Sequence, residues 1–361
     1  MRKIAYTALA ILLTAASCAP KVQQGSEPIS QYASDIINGK DSPVRDAIAA
    51  TAKPDSKGSI CLIGEMTQTE TLRDFLASAD LFDNTCAAAV PDGIPDFAGE
   101  QFISVLDIQA SPYSAFFADG QLDSLGRLTF RRCLSAIDST CCISPYDKVG
   151  IGRKDPAKLI ILNSAYLCAF AESDVASAFE QIGSSVEIVS TLGCMLSELM
   201  ESRKDSYRIA VLAPEEVADP EVYLRAFRRC CTQDGIAPSE CFVFHADSCR
   251  NPLAAMLDAY VAQGKVSPLD AVLVDDNIID LEEIAAMVEK AGSVMNEEYM
   301  IYSPLLGKDF KIISAQKTVA RKIFSILREN KLFRLKIARP QVSTYMTLDD
   351  RLIPYSDRYI K

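Results

Sequence analysis

Ten polar residues stand where a short apolar run gives way to a turn, and in that position they could replace the water around a small polar molecule. Glu65 and Thr67 follow the run Ile60 to Gly64, and Asp107 ends the run from Phe102. Asn163 and Ser164 follow Lys158 to Leu162. His245 ends the run from Cys241, with Asp247 just beyond, and Asp275, Asp276 and Asn277 follow Ala271 to Val274. If the runs are parallel strands, these residues lie beyond the carboxyl ends, where loops and helix N-termini supply donors and acceptors to ligands. Asp275 to Asn277 is the strongest group, because three polar side chains directly follow one strand. Each residue also has a plainer explanation as a helix cap or turn former, and an Asp or Asn capping the helix after Ile279 accounts for part of that group. A single His near a strand end is more often structural than ligand-binding.

Other chemistries find little material. The 361 residues include one His and twelve Cys, with no CxxC spacing, so no metal site is expected. Position 18 aside, eleven cysteines remain, an odd number. A few structural disulfides at most are expected, and Cys61 and Cys168 sit in or beside apolar runs as small hydrophobes. No GxxxxGK[ST] loop occurs, and one His leaves little scope for a Ser-His-Asp site. No cofactor is implied. A net charge of −11 argues against nucleic acid, whose phosphates call for clustered Lys and Arg. The one basic concentration, from Lys308 to Arg339, reads as a solvated face. Absence of Trp weakens a sugar ligand, although Tyr113 and Tyr166 could stack in its place.

These residues need a scaffold, and the chain describes one. Hydrophobic residues make up 49% and charged residues 24%, a globular balance. From Ser59 onward, strand-sized apolar runs alternate with amphipathic stretches in βα rhythm. Beyond the runs already named, strands are predicted at Val186 to Ser190, Arg208 to Leu212, Tyr299 to Tyr302 and Phe310 to Ile313. Helices are predicted at Glu70 to Ala79, Leu125 to Ile137, Ser173 to Ile182, Cys194 to Ser202, Glu221 to Gln233, Pro252 to Gln263, Leu281 to Lys290 and Ala315 to Asn330. The last carries Val319, Ile323, Ile326 and Leu327 on one stripe. The expected fold class is α/β: two doubly wound lobes with mostly parallel sheets, 59–190 and 191–361, after a tether with short helices at 18–58.

The start of the chain reads as an address. Arg2 and Lys3 precede the apolar run Ile4 to Ala16, too short to span a bilayer. The segment Leu13-Thr14-Ala15-Ala16-Ser17-Cys18 resembles a bacterial lipoprotein signal, which implies removal of 1–17, lipidation of Cys18 and a membrane anchor in the cell envelope. Ala19 after the Cys favours the outer membrane, facing the periplasm.

The second half carries a resemblance of its own. The sequence Leu196-Ser197-Glu198-Leu199-Met200, then Tyr207-Arg208-Ile209-Ala210-Val211-Leu212-Ala213-Pro214, then Glu221-Val222-Tyr223-Leu224-Arg225-Ala226-Phe227 resembles the second lobe of type I periplasmic binding proteins. Those proteins share a fold with the sugar-sensing domains of bacterial repressors. Asp270 to Asn277 is similar to that family's later strand ending at the inter-lobe cleft. The resemblance implies a lipid-anchored solute-binding protein rather than an enzyme. It would close its lobes on a small polar solute, for transport or sensing, with a transporter or sensor as partner.

Two further readings stand beside it. Asn84-Thr85-Cys86 and Leu192-Gly193-Cys194 resemble the cysteine motifs of aspartate/glutamate racemases, in which paired thiols at a lobe interface exchange a proton next to a carboxylate. Here Ile209 of the "IAV" strand follows both motifs, and Met195-Leu196 stand where a Thr-His pair is usual. The other reading is an envelope assembly lipoprotein with the fold but no small ligand.

Overall fold

The strand β1 (Ser59–Gly64) is buried along all six residues. Its Ile-Cys-Leu-Ile centre has no polar face to offer water, so it can sit only inside a parallel sheet covered on both sides. The computed structural model, which describes residues 29–356 except 54, 218, 247–249, 294–296, 335 and 337, places it there.

β1 lies between β2 (Gln101–Leu106) and β5 (Ala157–Asn163), and pairs with both in parallel. A side hairpin, β3 (Thr140–Cys141) with β4 (Gly152–Arg153), separates β2 from β5 in sequence. β6 (Glu187–Ser190) extends the sheet beyond β5. The chain then enters a second sheet made of β7 (Ser206–Ala213), β8 (Ala237–His245), β9 (Leu269–Val274) and β10 (Leu306–Ser314), in the order β10-β9-β7-β8, all parallel. It returns to the first sheet with β11 (Gln341–Leu348), parallel to β2, and β12 (Arg351–Pro354), antiparallel to β11. The first sheet therefore runs β12-β11-β2-β1-β5-β6.

Two helices make the crossings. Thr191–Met200 leads from the first sheet to the second and Ala315–Glu329 leads back. They pack on one another, and Arg321 pairs with Glu198 at 2.6 Å. The stripe of Val319, Ile323 and Leu327 is wholly buried in a core shared with Ile60, Leu62, Leu159 and Ile161 of the first sheet. Before β1, helices Gln31–Ile37 and Ser42–Ala49 pack against Glu172–Ile182.

A mixed α/β fold with two mostly parallel sheets is thus present, with three departures from the sequence expectation. Tyr299 to Tyr302 is not a strand. It lies in a helical turn, Glu297–Met300, followed by a 3-10 turn at Ser303–Leu305 that carries Pro304, and the place beside β9 goes to β10. Residues 341–354, assigned with the second lobe, form two strands of the first sheet. The ten described cysteines are all free thiols, and Cys61, Cys133 and Cys168 fill the apolar core, so the expected disulfides do not occur among the described residues. Cys18 and the signal segment lie outside the described residues. Among the described residues no helix is long and apolar enough to cross a membrane.

Candidate active site

The carboxyl ends of the two sheets face each other, so the turns after β1, β5 and β6 meet the turns after β7 and β9. A narrow cavity lies between them, lined by Glu65, Gln68, Asn163, Ser164, Ala165 and Thr191 from the first lobe and by Pro214, Glu216, Val217 and Asp275 from the second. Its free volume is about 10 Å³, close to the room one water needs. The lobes are closed on each other.

Close strand packing sets this geometry. A Cβ on Gly64 would come within 2.5 Å of the Asn163 carbonyl oxygen and 2.7 Å of Thr69 Oγ1, so only glycine lets β1 and β5 end side by side. Glu65 follows at the N-cap position of helix Met66–Ser78, yet its side chain does not cap that helix. Its Oε1 instead accepts from the Tyr113 backbone N–H (3.0 Å) and from Ser111 Oγ (3.3 Å). Glu65 is 5% exposed, and burial pushes its carboxyl up to about 7, with the Tyr113 N–H opposing and the Glu216 charge adding to the rise.

On the second lobe, Asp275 Oδ2 accepts from the Tyr223 hydroxyl at 2.7 Å. Burial raises its carboxyl to about 6, the Tyr223 bond holding it down and the charges of Asp276 and Glu216 pushing it up. Two acids from opposite lobes therefore stand against one cavity, each able to gain or lose a proton near neutral pH. Among the described residues no Lys, Arg or His lines the cavity. Two buried hydroxyls of lining residues, Ser164 Oγ and Thr191 Oγ1, have no hydrogen-bond partner among the described residues. Buried hydroxyls without partners are rare and costly.

Gln68 ties the lobes together. Its Nε2 donates to Asp276 Oδ1 (2.9 Å), its Oε1 accepts from the Asn277 N–H (2.8 Å), and its backbone carbonyl accepts from Asn277 Nδ2 (3.3 Å).

Of the residues singled out in the sequence, Glu65, Asn163, Ser164 and Asp275 line the cavity, while Asp276 and Asn277 form the Gln68 contact beside it. Of the other four, the three that are described lie elsewhere. Thr67 is exposed on the first helical turn. Asp107 is spent on structure: Arg132 donates to it through Nε (3.0 Å) and Nη2 (2.9 Å), and the hydroxyls of Thr347 (2.7 Å) and Tyr113 (3.3 Å) complete its set. His245 ends the edge strand β8, away from the cavity. Asp247 lies outside the described residues. Sequence reading missed Gln68, Thr191, Glu216 and Tyr223. Thr191 directly follows β6 and could have been found by the same strand-end rule.

Neither cysteine of the racemase-like motifs reaches the cavity. Cys86 is exposed in a loop, and Cys194 is buried in its helix beside Val189 and Val319. It faces a separate groove of about 690 Å³ that also contains Cys168 and Cys230. Burial pushes the Cys194 thiol up to about 12, the wrong direction for a nucleophile or base. Among the described residues, no group of three or more His, Cys, Asp or Glu is arranged to hold a metal ion.

No protein-family model and no curated protein sequence matches the chain. Solved structures do. Glutamate racemase from Francisella tularensis, in complex with D-glutamate, is similar over 81% of this chain and 89% of its own, at 14% identity and a TM-score of 0.50. A glutamate racemase of Bacillus anthracis is similar over 81% and 89%, at 11% identity and a TM-score of 0.48. The maleate isomerase of Pseudomonas putida S16 is similar over 75% and 93%, at 10% identity and a TM-score of 0.38. The resemblance to periplasmic binding proteins is thereby corrected, and with it the solute-binding role and the transporter or sensor partner. The βα rhythm and the Ile209 strand that suggested them are common to doubly wound lobes, and strand order is what separates such folds. The lipoprotein character and the membrane as partner gain no support from any comparison. The chain has the fold seen in glutamate racemase, with carboxyl groups at its lobe junction.

Proposed function

We propose that this chain is a racemase- or isomerase-type enzyme that moves a proton at a carbon next to the carboxyl group of a small substrate, using Glu65 and Asp275 in place of thiols. The observation that carries the reading is the pair itself: one acid from each lobe, both buried, both raised toward neutrality, against one cavity. The glutamate-racemase fold supports it by bringing two lobes together at that point.

The chemistry balances with these groups alone. The ionised carboxylate on one lobe takes the proton from the substrate carbon, and the electron pair left behind delocalises into the adjacent carboxyl group. The protonated acid on the other lobe returns a proton to the opposite face. The carbon is inverted and the two acids have exchanged protonation states. Proton transfer is most efficient when the acid and base have values near the working pH, and Glu65 and Asp275 meet that condition. Tyr223 keeps Asp275 oriented, and the Ser111 hydroxyl and Tyr113 N–H do the same for Glu65. With about 10 Å³ free, the lobes must part to admit substrate and close again behind it, which excludes water during the transfer.

The test is incorporation of solvent deuterium at the α-carbon of a panel of amino acids. Exchange that falls about 10²- to 10⁴-fold in both Glu65→Gln and Asp275→Asn is the expected result. Exchange that survives in both variants refutes the assignment.

A further inference from the structure

Resting on the proton-transfer reading above, we infer that the molecule handled in the cleft is a small amino compound of net positive charge, held by its ammonium groups among Glu65, Glu216 and Asp275, and not a dicarboxylate.

The argument is one of charge compensation. Outside the cleft, two buried carboxyl groups have their charge answered by a cation: Asp107 holds Arg132 at 2.9 Å and Glu100 holds Lys158 at 2.6 Å. In the cleft, three carboxyl groups line one cavity, one from the first lobe and two from the second, and among the described residues no cationic side chain lines it. Glu65 and Asp275 are each within range of the Glu216 charge, and each is made worse by it. An entering dicarboxylate would bring a second negative charge into a water-poor space already lined with them. An entering cation would supply the missing counter-charge, and the described residues supply none at the cavity. That this is a ligand site, and not only an acidic cluster, follows from the Ser164 and Thr191 hydroxyls. They are 8% and 1% exposed, belong to residues that line the same cavity, and have no partner among the described residues.

The test uses the purified full chain and reads two signals. Deuterium exchange at the α-carbon is measured for L-lysine, L-ornithine, L-alanine, L-glutamate and L-aspartate. Thermal shift is measured with 1,5-diaminopentane, which presents ammonium groups but has no carbon to exchange. The expected result is a kcat/KM at least tenfold higher for the basic amino acids than for the acidic ones, with alanine between, and a rise in Tm with the diamine. Glu216→Gln lowers that preference about tenfold, and Glu216→Lys turns it toward glutamate. Exchange that is equal across the panel, or fastest with glutamate or aspartate, overturns the charge inference and leaves the proton-transfer reading standing. Binding of the diamine without exchange of any amino acid does the reverse. Neither exchange nor diamine binding overturns both.

Discussion

The two ends of the first sheet treat buried charge in opposite ways. At the amino ends of its strands, Glu100 and Lys158 are almost completely buried and bonded to each other at 2.6 Å, with the Arg334 guanidinium a second, longer ion pair to Glu100 at 3.9 Å. Lys158 also donates to the carbonyls of Leu332 (2.7 Å) and Ser56 (3.1 Å), and Glu100 Oε1 accepts from the Arg334 N–H (2.7 Å). At the carboxyl ends, where the second sheet meets it, Glu65 and, across the junction after β9, Asp275 have hydrogen bonds but no cation among the described residues, and the Glu216 carboxyl raises both further. The first arrangement is finished within the chain and pins β2, β5 and the segment before β11. The second is unfinished, and unfinished electrostatics at the meeting point of two lobes is what proton-transfer chemistry uses.

Mutations should separate the two ends. The largest effect is expected at the amino end, where Lys158→Met leaves Glu100 buried without its cation. A loss of about 3–5 kcal/mol in denaturant unfolding is expected, and a loss below 1 kcal/mol would remove the contrast. At the carboxyl end the sign reverses. Burial raises Glu65 from 4.5 to about 7 and Asp275 from 3.8 to about 6, so the folded chain holds these protons more tightly than the unfolded chain. Their favourable contribution is full below the unfolded values and is lost as pH rises through the folded ones, leaving a cost at pH 8. Glu65→Gln and Asp275→Asn should each stabilise the protein by up to about 3 kcal/mol at pH 8 and by almost nothing at pH 3. Urea titrations at the two pH values read this directly, and an equal effect at both would contradict it.

A smaller effect is expected at the junction between lobes. Gln68→Ala removes two side-chain hydrogen bonds to Asp276 and Asn277, worth about 2 kcal/mol together. Amide exchange at Asn277 should rise roughly 30-fold while β1 keeps its protection. The smallest effect belongs to Cys86→Ser. The thiol is exposed and away from the cavity, so stability should change by less than about 0.5 kcal/mol and α-proton exchange should not change. A thiol mechanism would lose exchange in this variant.

The sheets were legible because their signal is local. Runs such as Ile60 to Gly64 and Ala271 to Val274 are apolar throughout, and strand-end placement put Glu65, Asn163, Ser164 and Asp275 in the cavity. Topology was not legible. That 341–354 rejoins the first sheet depends on pairing across more than two hundred residues, and β11, with its mixed Gln-Val-Ser-Thr-Tyr sequence and partly exposed side chains, gives no strong apolar signal. Asp107 passed the strand-end rule yet serves Arg132, because the sequence does not show that a helix 25 residues later aims a guanidinium at it. Gln68 and Tyr223 lie within helices, where polar positions usually face water; only the approach of the second lobe gives Gln68 a role, and Tyr223 is turned inward to Asp275 of its own lobe.

The most direct test is the pH dependence of α-proton exchange with the best substrate of the panel. With the ionised acid near 6 and the protonated acid near 7, kcat/KM should be bell-shaped, highest between those values and falling on both sides, with each limb lost in the matching variant, Asp275→Asn or Glu65→Gln. A profile that is flat from pH 5 to 8 and rises only above it, as an ionising thiol would give, would contradict the account.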